Sequence, residues 1–305
     1  MRFLFYLTLF SFISRTNAQS FEVYADNNII KVNEQNDNPL ALGLSTYKFS
    51  RITYTGKPIS INIKVIDFEF KENDWSISPK RYKIEGIKSG NSLSFSINRL
   101  GYVVVIFRQN QDFTKRIVLL IEKPDQIPMN RLDIVDAYGV DNSGYKNETK
   151  KIQKALDEIS GSGKVLYFPS GTYKTFMLKF KSNSHIHLDK NARILADPTS
   201  LSPYISFEKR GLESFILIKD VENLEISGLG IFDGNGTQIL SKYNDELKII
   251  AQNQQTGVRL LLIYRSRNIK FNGVLLKDSV RWNTHVLQSN DVSFNRCKLL
   301  NNPSE

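Results

Sequence analysis

The sequence predicts an all-β protein: a small antiparallel β-sandwich followed by a right-handed parallel β-helix with one capping helix. Three observations carry this expectation. A four-slot apolar pattern repeats at an offset in the twenties, which is the signature of a stacked solenoid. Short runs of period-two alternation fill residues 21 to about 125. A single stretch of helical spacing lies between the two regions.

The repeat is clearest where Ile269, Phe271, Val274 and Leu276 match Val292, Phe294, Cys297 and Leu299, slot for slot, at an offset of 23 residues. Two apolar residues two apart, a polar corner and two more apolar residues two apart describe two short strands with a bend between them. Leu224, Ile226, Leu229 and Ile231 fill the same slots 45 residues before the Ile269 copy, which reads as two periods with a loop. A looser copy is Ile186 and Leu188 followed by Ala192 and Ile194. The corners are Ser-Gly, Asn-Gly and Asn-Arg, residue types suited to a left-handed or bridging backbone.

Before the repeat, Ile59–Val65, Ser92–Ile97 and Tyr102–Phe107 alternate between turn clusters, the pattern of an antiparallel sandwich. Lys123-Pro-Asp-Gln-Ile-Pro128 reads as a linker, and Leu132 to Gly139 as a strand and turn. Ile152, Ala155, Leu156 and Ile159 recur at helical spacing, with Asn147 or Thr149 as N-cap and Gly161 as stop. That helix is expected to cover the apolar end of the first rung. The domains are therefore 1–18 as a signal peptide, 19–127 as the sandwich and 128–305 as the β-helix, incomplete at its carboxy terminus.

Met1-Arg2, the apolar run Phe3 to Ile13 and Thr16-Asn17-Ala18 have the layout of a secretory leader cut after Ala18, so a secreted or periplasmic protein is expected. No run reaches the roughly 20 apolar residues of a membrane span. The formal charge of +10 falls to +8 without Arg2 and Arg15, and the basic residues are spread rather than clustered. Such a balance is compatible with an anionic polysaccharide partner but is satisfied by solubility alone. The one cysteine, Cys297, sits in an inward slot and is expected to be a buried structural thiol. His185 and His187 flank the inward Ile186, are expected to point outward, and lack a neighbour at ligand spacing, so neither a metal nor a cofactor is expected. Gly228-Leu-Gly230 and Gly234-Asn-Gly236 have no helical pattern directly after them and do not make a dinucleotide fingerprint. Basic and aromatic residues are not interleaved as in a nucleic-acid groove, so that class is set aside. Asp233 is expected to brace its own Gly-rich turn, and the acids that could be read as paired candidates to be ordinary surface residues.

Asp133-Ile-Val-Asp-Ala-Tyr-Gly139, the helix from Lys151 to Asp157, Val165-Leu-Tyr-Phe-Pro-Ser-Gly-Thr-Tyr173, the stretch from Leu178 to Leu188, Asp233-Gly-Asn-Gly236 and Trp282-Asn-Thr-His285 occur in one order. Together they resemble the amino-terminal portion of the polygalacturonase-like glycoside hydrolases, family 28, over about residues 131–305. The leading sandwich fits the dextranase-like family 49 as a second choice.

The resemblance implies hydrolysis of glycosidic bonds in pectin-like glycans with inversion, by one acid and opposing carboxylates that activate water. The family carries these in Asn-Thr-Asp, Asp-Asp, Gly-His-Gly and Arg-Ile-Lys motifs, and none is present here. If Trp282 to His285 form the cleft-facing strand of their rung, the next such strand falls at about 305 to 308, where the first catalytic aspartate belongs. The expectation is thus a hydrolase lacking its catalytic rungs, inactive as given, without assigned catalytic residues and monomeric if complete. Arg281, Trp282 and His285 are the candidate saccharide contacts, Arg281 toward a uronate carboxylate. The alternatives are a non-catalytic carbohydrate-binding or adhesion β-helix, a dextranase-like hydrolase, and a lyase on the same fold.

Overall fold

The computed structural model describes residues 20–34, 47–108, 114–204, 213–252 and 258–300. The expected leader lies outside them. The chain divides into two compact units, the first built from residues up to Asn33 and from Lys48–Glu122, the second from Lys123 onward.

Ten short strands make the first unit, in two five-stranded sheets. One sheet runs Asn28–Ile30, Phe21–Ala25, Ile59–Val65, Ser92–Ile97, Ile87–Ser89. The other runs Val32–Glu34, Tyr47–Thr53, Thr114–Glu122, Gly101–Arg108, Trp75–Ser78. Pairing is antiparallel, with Ile61 opposite Phe95 and Val105 opposite Ile117. Strict alternation in Ile59–Val65 buries Ile59, Ile61, Ile63 and Val65 and exposes Ser60 and Lys64. The inward residues form one core with Phe21, Phe107 and Leu119. A bidentate pair, Arg51 Nε and Nη2 on Glu122 at 2.7 and 2.9 Å, is buried within this unit.

The second unit is the coil. Arg131–Asp133, Val165–Phe168, Ser184–Leu188, Glu222–Gly228, Arg267–Asn272 and Asn290–Asn295 stack as one six-stranded parallel sheet. Ser143–Asn147, Gly171–Thr175, Ala192–Ala196, Ile231–Asp233, Leu275–Lys277 and Lys298–Leu300 form the second sheet. Leu178–Lys179, Ser214–Lys219, Arg259–Tyr264 and Thr284–Leu287 form the third. Leu224, Ile269 and Val292 are consecutive partners in one parallel column, as the repeat predicts. Phe271 and Phe294 stack in the next, ring centroids 4.9 Å apart and 17° from coplanar.

The register corrects the earlier copies. Phe232, not Ile231, pairs with Leu276 and is fully buried, and Leu229 is only half-buried, because the corner after Ile226 holds one more residue than the corner after Phe271. Ile186 pairs with Ile226 and not with Leu224, a shift of two. Leu224 and Ile269 belong to adjacent rungs, so the 45-residue interval is one turn and not two. Its extra length is the helix Gly236–Gln252, which also corrects the expectation that no helix follows Gly234-Asn-Gly236. Insertion of a helix between rungs leaves both flanking strands in place and is invisible to a period count.

The capping helix is Thr149–Glu158, with Ile152, Ala155, Leu156 and the following Ile159 buried in the coil core. Its N-cap residue is Glu148 rather than Asn147 or Thr149, although Asn147 Oδ1 accepts from the Thr149 amide at 3.1 Å. Leu132 to Gly139 is more than a strand and turn: Asp133 caps a short helix, Ile134–Tyr138, closed by Gly139 at φ 59°. Cys297 is half-buried rather than buried, since no described strand lies over its rung, where Phe294 and Leu299 are also exposed. It still packs against the coil core, and burial pushes its thiol pKa up.

Stacking sets hard limits at the corners. Gly228 has φ 98°, and a Cβ there would lie 2.0 Å from the Leu188 carbonyl oxygen. Gly228→Ala is therefore expected to lower the melting temperature of the coil by more than Leu229→Ala, whose side chain is half-buried. Differential scanning calorimetry on the two variants checks the order.

Candidate saccharide-binding site

Trp282 lies just before the strand Thr284–Leu287, which pairs with Arg259–Tyr264 so that His285 stands beside Leu262. Trp282 is 52% exposed and meets the His285 ring edge-to-face, with centroids 4.6 Å apart. The half-buried His285 ring is held from below. Arg259, buried in the preceding rung, donates from Nε to His285 Nδ1 at 2.8 Å, and its guanidinium carbon lies 5.5 Å from the Trp282 ring centroid. Behind Arg259 stands Glu213, also buried, with its carboxylate 3.6 Å from Nη1 and its carbonyl accepting from Nη1 at 3.2 Å. Burial and the neighbouring guanidinium both hold the His285 pKa below the usual histidine value. An aromatic face beside a neutral imidazole donor suits a pyranose, which offers an apolar ring face and hydroxyl oxygens.

Of the residues expected from the sequence, Trp282 and His285 come together, while Arg281 is exposed on the adjoining segment. Arg259 and Glu213 were missed. They lie one and two rungs earlier, 26 and 72 residues from His285 in sequence, and only the coil brings them beneath it.

The two other histidines point outward as expected, but one of them is covered. Both leave the coil on its outer side, as alternation requires, but His187 is buried, because Ser227 of the next rung and Asp125 cover it. His185 Nε2 and His187 Nδ1 lie 2.8 and 2.9 Å from Ser227 Oγ, and His187 Nε2 lies 3.4 Å from Asp125. A shallow groove of about 310 Å³ runs past His185, Glu225 and Lys270 on the same face.

Two acids expected to be ordinary are not. Asp233 is fully buried and does more than brace its turn: it accepts from Asn235 N at 3.0 Å and also pairs with Arg193 at 2.7 Å and Lys277 at 2.9 Å. Burial opposes its ionisation, but the two cations outweigh that and hold its pKa below the usual value. Asp278, also buried, is pushed up by burial and by Asp233, while its Oδ1 accepts from the Thr237 amide and hydroxyl. These contacts tie the start of the inserted helix to the rung above. The signs differ with pH. Asp233 contributes stability above its unfolded pKa and loses it as pH falls through the folded value, whereas Asp278 favours the fold at acid pH and loses that contribution as pH rises through its own. Asp278→Asn is therefore expected to raise the melting temperature at pH 8 and leave it nearly unchanged at pH 3, checked by thermal melts across that range.

A family model described as Rhamnogalacturonase A/epimerase, pectate lyase-like, matches residues 134–199. An exo-poly-α-D-galacturonosidase of Dickeya chrysanthemi is 25% identical over 214 residues, covering 65% of this chain and 32% of that protein. An iota-carrageenase of Zobellia galactanivorans is 28% identical over 65 residues, 21% of this chain and 13% of that one. The chain thus spans about a third or less of the curated relatives it matches. The solved structure of Dex49A from Penicillium minioluteum shares the fold, with a TM-score of 0.54 and 12% identity over 92% of this chain and 57% of that one. The chain carries a parallel β-helix whose sequence is similar in part to the rhamnogalacturonase A/epimerase model and to the exo-poly-α-D-galacturonosidase, and it shares its fold with Dex49A.

Proposed function

We propose that this chain is the sandwich and leading β-helix of an exported, inverting polygalacturonase-type hydrolase acting on a pectin-like glycan. The division falls at 1–18 for the leader, 19–127 for the sandwich and 128–305 for the coil, and the complete protein works outside the cytoplasm as a monomer. The observation that carries the reading is the patch of Trp282 and His285 on a stacked coil whose similarity runs to galacturonan-cleaving relatives. Trp282 supplies a stacking face, His285 a donor, and Arg281 a cation within reach of a uronate carboxylate.

Under this proposal the 305 residues hold glycan without cutting it. Inverting hydrolysis needs a proton donor and a base on opposite sides of one bond. The carboxylate linked to this patch through Arg259 is that of Glu213, which is buried and ion-paired rather than presented to a substrate. General acid–base assistance is worth about 10² to 10⁴ for each group, so positioning alone gives no useful rate. A dextranase-like reading is second, favoured by the Dex49A fold, which covers both units of this chain.

The test is a reducing-end assay of the purified chain on polygalacturonate and on dextran, beside a gene product extended by further rungs. The expected result is no release from the 305-residue chain and release from the extended one on polygalacturonate. Release by the 305-residue chain that survives His285→Gln would overturn this reading, and release on dextran alone would favour the second.

A further inference from the structure

The patch has a foundation whose chemistry constrains what it can recognise. An arginine Nε–H can only donate, so the 2.8 Å bond to His285 Nδ1 requires that nitrogen to be the unprotonated acceptor. A neutral ring then carries its proton on Nε2, for which no partner exists among the described residues. A second proton on the ring would have to displace the arginine bond and sit beside a buried guanidinium. The guanidinium is itself fixed from behind by the buried Glu213 carboxylate and carbonyl, and it underlies the Trp282 ring. Among the described residues, Arg259 from the preceding rung bears directly on His285 and Glu213 from the rung before that stands behind it, while Arg281 lies exposed on the same segment.

We propose that Glu213 and Arg259 are positioning residues that lock His285 as a neutral, Nε2-protonated donor beside Trp282. The patch therefore recognises a sugar oxygen acceptor next to a pyranose face with an affinity that does not follow pH. This rests on the saccharide-binding reading above and adds to it the tautomer, the charge state and the two residues that set them. It also separates two contributions to specificity. His285 contributes a hydrogen bond that neutral and anionic sugars both accept, and discrimination for a uronate falls to the exposed Arg281.

Two measurements test it. The first needs no glycan: nitrogen-15 NMR of the His285 ring in the whole 305-residue chain, assigned by loss of the signal in His285→Gln. The expected spectrum is the neutral Nε2-protonated tautomer from pH 8 down to pH 5. A ring protonated on Nδ1, or one that titrates near the ordinary histidine pKa of about 6.5, overturns the proposal. The second is calorimetric binding of oligogalacturonate, whose carboxylates stay ionised over this range. Wild type is expected to change affinity less than about threefold between pH 8 and 5, while the Glu213→Gln, Arg259→Gln double variant, which removes both members of the pair together, gains roughly tenfold as its released imidazole becomes cationic. Equal pH profiles for the two proteins overturn the positioning role. Should the double variant not fold, the wild-type spectrum alone decides. Absence of binding by wild type would overturn the proposed function instead, and the NMR result would still stand or fall separately.

Discussion

Each rung of the coil is held by backbone hydrogen bonds to the rung before it, and these bonds form in register only if equivalent side chains point the same way. That constraint shapes nearly everything else in the second unit. Leu224, Ile269 and Val292 lie in one column, Ile226, Phe271 and Phe294 in the next, and each apolar residue completes the burial of the one below. A solenoid of this kind has no core apart from its contacts between neighbours, so the stability of any rung depends on what lies over it. The half-buried Cys297, in a slot where Val274 is fully buried, shows the same rule at the last described rung.

Stacking also explains which polar residues the corners use. Asn183, Asn223 and Asn268 adopt left-handed backbones at one corner, φ 52°, 57° and 54°, and their side-chain amides join into a ladder. Asn223 donates to Asn183 at 3.0 Å and Asn268 to Asn223 at 2.8 Å. Asparagine tolerates this conformation better than most side chains, and its amide is both donor and acceptor, so each rung satisfies the next. The opposite corner relies on Gly228 and Gly273, where backbone approaches backbone and there is no room for a side chain.

The same geometry makes ion pairs between residues remote in sequence. Asp233 reaches Arg193 one rung below and Lys277 one rung above, and Glu213, Arg259 and His285 form a line across three rungs. A buried pair costs desolvation on both sides, so such pairs are weak sources of stability but strong sources of position, since losing one partner leaves the other charge uncompensated. That is what the proposed saccharide patch requires. His285 sits on a surface strand with Trp282 just before it, and a buried guanidinium lies against both.

Apolar periodicity in the sequence determined the coil, its capping helix and the alternating strands of the sandwich, because one-sided burial at period two or 3.6 leaves a direct trace in residue order. Trp282 and His285 were brought out by the family resemblance that an ordered series of local motifs carries. Register was decided by the tertiary structure: the additional residue at the corner after Ile226 and the helix Gly236–Gln252 shift the apparent repeat without disturbing the stack, so counting along the chain misplaced Ile231 and Ile186. The roles of Glu213, Arg259, Asp233 and Asp278 were likewise settled only in three dimensions. A charged residue on a strand reads as a surface residue until a partner from another rung is seen to bury it, and which residues meet across rungs depends on the lengths of the intervening loops, to which local pattern is blind.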